Sequence, residues 1–135
     1  MADGSPCELL AAVAAADEAF RNAVQAMLLP GIEAMQTGEQ AAVDEASVGV
    51  VASVPGVMAA HVPGLTALYD QLAQVVPPDI AAHAVALRDY MGELAAGLAA
   101  APSFDAMSAV LDDPAGNEAY TAASALAAYR KATCG

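Results

Sequence analysis

Cys7 and Cys134 are the only cysteines in this chain of 135 residues, and they stand at its opposite ends. A bond between them forces the first and last elements to be neighbours, which removes most arrangements in which a small chain leaves its termini apart. We read the pair as one disulfide. Closing a loop of this length stabilises a fold by about 4–5 kcal/mol in the chain-entropy picture, a large share of a small domain's stability. The competing reading is two unpaired thiols in a reducing compartment. Disulfides persist in oxidising compartments, so the paired reading places the protein outside the cytoplasm, with an export signal lying outside this sequence. Pro6 directly before Cys7 speaks against a lipid anchor on that cysteine.

The elements to be joined are helices. No segment keeps a period of two, whereas apolar residues recur at spacings of three and four. Thirty-seven of the residues are alanine, which favours helix and lets helices pack closely. Ser5-Pro6-Cys7-Glu8 forms a capping box with proline at the first helical position, opening a helix that carries Leu9, Val13, Phe20, Val24 and Met27. Leu29-Pro30-Gly31 is expected to end it, with a short helical piece over Ile32–Gln36. Thr37-Gly38-Glu39-Gln40 offers a second capping box for a helix bearing Val43, Val50 and Val54.

Val54-Pro55-Gly56 and Val62-Pro63-Gly64 then form a near-repeat, and each proline is expected to break the helical ladder. A stripe of Leu65, Leu68, Leu72 and Val75 follows and stops at Val76-Pro77. The longest helix is expected from Asp79 to about Ala101, with Ile80, Leu87, Met91, Leu94 and Leu98 on its apolar face. Pro102-Ser103 caps a short helix with Phe104, Met107 and Leu111, and Asp113-Pro114 opens a last one carrying Tyr120, Leu126 and Tyr129 toward Cys134. The expected fold is all-α: a single domain over residues 1–135, with 1–4 expected to be flexible, built as an irregular bundle of five to seven helices with its ends joined. Ala46–Tyr69 lacks charged residues and is long enough to cross a membrane, but its prolines, glycines and His61 read instead as a kinked segment inside a bundle.

Charge narrows the function. Four cations, Arg21, Arg88, Arg130 and Lys131, face sixteen acids for a net charge of −12. Nucleic acid and anionic membranes both require clustered cations, so neither is an expected partner; an apolar small molecule or a basic protein remains. Enzyme signatures such as a Gly-x-Ser-x-Gly elbow, a phosphate loop or a His-Glu-x-x-His pair are absent from the sequence, and we expect a non-enzymatic protein. Asp79 and His83, four apart, suit either a metal or an oriented imidazole. Asp79 follows Pro77-Pro78, so we read its carboxylate as serving the helix N-terminus.

The remaining polar groups sit beside apolar ones. His61, Tyr69, His83 and Tyr90 accompany Met58, Leu65 and Leu68, and we read them as the polar trim and walls of a pocket near Val54–Leu72, with Arg88 placed to meet a ligand carboxylate. An imidazole or phenolate there would suit the iron of haem as an axial ligand. The Ala-rich, acidic, all-helical character flanked by Pro6-Cys7 and Ala132-Thr133-Cys134 resembles small exported proteins of high-GC actinobacteria, some of them haemophore-like. That resemblance implies export and an apolar ligand, lipid or haem. The alternative is an extracytoplasmic accessory factor that docks a protein and holds no small molecule.

Overall fold

The computed structural model describes residues 5–113 and 115–134; the predicted role of Pro114 and the expectation for residues 1–4 fall outside them. Five helices follow one another: α1 (Pro6–Thr37), α2 (Gln40–Ala73), α3 (Pro78–Ala100), α4 (Phe104–Leu111) and α5 (Ala115–Cys134). The all-α expectation holds, and Cys7 and Cys134 are bonded, their Cα atoms 5.7 Å apart.

Local signals account for most ends. Pro6 opens α1, where the Ser5 hydroxyl accepts a hydrogen bond from the Glu8 N–H. The Ser103 hydroxyl accepts likewise from Ala106 N–H at the start of α4. Pro78 is the first residue of α3, where its missing N–H costs nothing.

Three expectations need correction. Pro30 lies inside α1, and Pro55 and Pro63 lie inside α2, so the helices run through them and no separate Ile32–Gln36 piece exists. All three prolines face solvent. The carbonyls they leave without an intrahelical donor belong to Ala26, Val51 and Ala59, of which two are exposed and Val51 is half-buried, so water can serve them. The Val-Pro-Gly repeat thus marks a face: Val54 and Val62 enter the core while the prolines after them stay outside. Thr37 is likewise no cap of α2. It closes α1, its hydroxyl donating to the Ala34 carbonyl at 2.6 Å, and Gly38 follows in the left-handed region at φ 73°, a conformation that favours glycine.

The helices pack in sequence, α1 on α2, α2 on α3 and α3 on α5, with α4 capping α3 and touching α2. α2 is the central element, burying Val50, Val54, Met58, Val62, Leu65 and Leu72 along one side. By length and composition α2 is also the one helix among the described residues able to cross a membrane, with a mean hydropathy of 1.6 over its most apolar window. At 32 and 34 residues, α1 and α2 are about 50 Å long, whereas α3 has 23 residues and spans about 35 Å. The far turns of the α1–α2 hairpin therefore have mainly each other: Ala34 and Val50 are buried there, and Leu29, Ile32, Met35 and Val48 are exposed.

Of the large apolar residues expected on the inner face of α5, Leu126 is buried and Tyr129 packs half-buried against the core, but Tyr120 is 76% exposed, and Ala119 and Ala122 complete the buried seam. In a helix this rich in alanine, small residues can carry the contact, so side-chain size no longer marks the inner face.

Candidate functional site

α1 and α5 close the bundle at the Cys7–Cys134 bond but touch only lightly beyond it. Between them runs an open groove of about 520 Å³. Its α1 wall is the stripe Cys7, Leu10, Ala14, Asp17 and Arg21, and its α5 wall is Ala123, Ala127, Arg130 and Cys134, with Lys131 beside them. Both walls follow the alternating three- and four-residue spacing of one helix face. Val13, Tyr69, Leu87 and Leu126 supply the floor. These faces are spaced like a helix–helix seam, yet the small side chains of Ala14, Ala123 and Ala127 leave room between the helices.

Tyr69 reaches this floor from α2 and is only 6% exposed. Burial pushes its hydroxyl up to about 12, with the Asp17 carboxylate acting the same way and Arg21 opposing. Asp17 in turn accepts hydrogen bonds from Arg21, one turn along α1, and this pairing raises the Arg21 guanidinium further above its ordinary value. A phenol favoured in its protonated form adds stability fully below pH 10, its ordinary value, and that contribution is lost as pH rises from about 10 to 12. The expected loss over that window is about 2–3 kcal/mol. In an ultraviolet titration Tyr69 should therefore ionise only near pH 12. Tyr69→Phe should remove the step near pH 12 and blunt the alkaline loss of stability; an unchanged titration in the variant would contradict this account.

The residues expected to form a pocket near Val54–Leu72 are not gathered in one place. Tyr69 alone among them lines the groove. Met58 and Leu65 are packed core residues, and Leu68 is half-buried against that core. The His61 ring lies 5.9 Å from that of Phe20, centroid to centroid, half-buried between α2 and α1. His83 is half-buried on α3. Tyr90 borders a shallow depression with Glu93, Leu94 and Val110.

Arg88 is engaged elsewhere. Its Nη1 donates to Asp70 at 2.8 Å and its Nε to Asp89 at 3.1 Å, tying α3 to α2 and raising its guanidinium above the ordinary value. Asp79 lies exposed in the first turn of α3, and the described residues hold no cluster of three or more metal-ligating side chains.

Of the residues expected as axial haem ligands, Tyr69 lines the groove, whereas His61 and His83 are not in its lining.

The groove was missed because its walls are more than a hundred residues apart in sequence. One signal was nonetheless present: Arg130 and Lys131 are two of only four cations, and they precede Cys134 by one helical turn. Comparison with protein-family models, with curated proteins and with solved structures found no match.

Proposed function

We propose that this is an exported, non-enzymatic binding protein that holds an apolar small molecule between α1 and α5. The observation that carries this reading is the groove itself, about 520 Å³ with an apolar floor, within the size range of small-molecule sites. Its cysteines are joined and so are not free nucleophiles, which supports holding a ligand rather than transforming it. The disulfide supports an oxidising compartment.

Ala127 offers the direct test, because it lines the groove and is otherwise exposed. Ala127→Trp should fill the space while leaving the fold intact. We expect Nile red, a neutral solvatochromic dye, to bind wild type saturably and the variant not at all, with matching thermal melts by circular dichroism. Equal dye titrations for the two proteins would overturn the reading.

A second reading, a docking protein for a basic partner, draws support from the hairpin tip. Exposed Leu29, Ile32, Met35 and Val48 share that region with the acids Glu33, Glu39, Asp44 and Glu45. It differs from the first in needing the tip and leaving the groove idle.

A further inference from the structure

We propose that the groove's ligand is a single-chain amphipath with an anionic head, a long-chain carboxylate or alkyl phosphate, its head held by Arg130 and Lys131 and its chain laid over Val13, Leu87 and Leu126. This inference rests on the groove being a binding site. It comes from where the cations are: three of the chain's four, Arg21, Arg130 and Lys131, line this one groove, although acids outnumber cations sixteen to four overall.

The fourth cation, Arg88, is taken up by Asp70 and Asp89 on another face. Within the groove lining Asp17 is the sole carboxylate, and Arg21 pairs with it. Among the described residues no carboxylate pairs with Arg130 or Lys131. Among the described residues, the groove thus carries two positive charges without a carboxylate partner at one end of an apolar floor.

Helix-dipole compensation is the plainer explanation for Lys131 in the last turn of α5, with Arg130 just before it. It is not a habit of this chain, since the last turns of α1, α2, α3 and α4 hold no basic residue. A guanidinium beside an ammonium gives a carboxylate or phosphate several charge-assisted donors, and in so acidic a protein a local cationic site is what admits an anion at all. A neutral apolar ligand would need neither residue.

The test is displacement of Nile red by laurate, dodecyl phosphate and the uncharged 1-dodecanol, which share one chain length. Three proteins are compared: wild type, the Arg130→Gln/Lys131→Gln double variant, and Arg88→Gln as a control for removing a cation away from the groove. Both groove positions are exposed, so the double variant should melt as wild type does. We expect one or both anions to displace the dye from wild type at lower concentration than dodecanol does. The double variant should weaken the anions by about tenfold and leave dodecanol unchanged, since charge-assisted bonds contribute on that scale. Arg88→Gln should leave all three unchanged, and the relative strength of laurate and dodecyl phosphate identifies the head. If dodecanol matches the anions, or if the double variant and Arg88→Gln behave alike, the anionic head is overturned while the groove stands. Absence of dye binding that Ala127→Trp can remove would overturn the groove reading, and this inference with it.

Discussion

Breaking the Cys7–Cys134 bond, by reductant or by the double substitution Cys7→Ser/Cys134→Ser, should lower the melting temperature by about 10–18 °C. The loop it closes spans 127 residues, for which chain entropy gives nearly 5 kcal/mol, and removal of native disulfides from small domains costs about 2–5 kcal/mol. For a chain of this length each kcal/mol moves the midpoint by roughly 3–4 °C. The effect should be near the upper end because α1 and α5 touch so lightly apart from the bond. Cys134 is exposed, so mild reductant should reach the sulfurs without prior unfolding. Differential scanning calorimetry with and without reductant measures this directly, and coincident melts would show that packing alone closes the bundle.

Leu65→Ala should destabilise the protein by about 3–5 kcal/mol. Leu65 is 1% exposed in the middle of α2, surrounded by a core with no polar residue among its buried members. Truncation there removes transfer energy and leaves a cavity that long, regular helices cannot collapse around. Leu68, half-buried on the same helix, should cost about half as much when changed to alanine. Chemical denaturation of the two variants separates the roles that both were expected to share as pocket walls. A small loss at Leu65 together with a large change in Nile red affinity would return it to a binding surface.

The contrast between these two leucines shows what periodicity reveals and what it leaves hidden. The stripes on α1 and α3 were legible because Leu9, Val13 and Phe20, and Leu87, Met91 and Leu98, recur at helical spacing and are buried. The same stripe on α2 gave the right helix face and the wrong role, since spacing alone cannot distinguish a core contact from a cavity wall. Proline rules misled at Pro30, Pro55 and Pro63 because they assume that the freed carbonyl is buried, and these prolines are on the solvent side. Asp17 and Arg21 come to line one groove with Ala127 and Arg130 only after the whole bundle has formed, so no local pattern announces it. The scarcity of cations was the readable clue, because in a chain with only four of them each one's position is informative.

The joined ends also decide how the molecule carries tension. Whatever chain precedes Cys7 or follows Cys134, a pull along it passes from sulfur to sulfur and bypasses all five helices. While oxidised, the bundle is an inextensible link, and force that would peel an ordinary helical hairpin apart never enters its core. Once reduced, the same pull loads α1 and α5 directly, and the 127-residue separation can pay out to about 440 Å of extended chain.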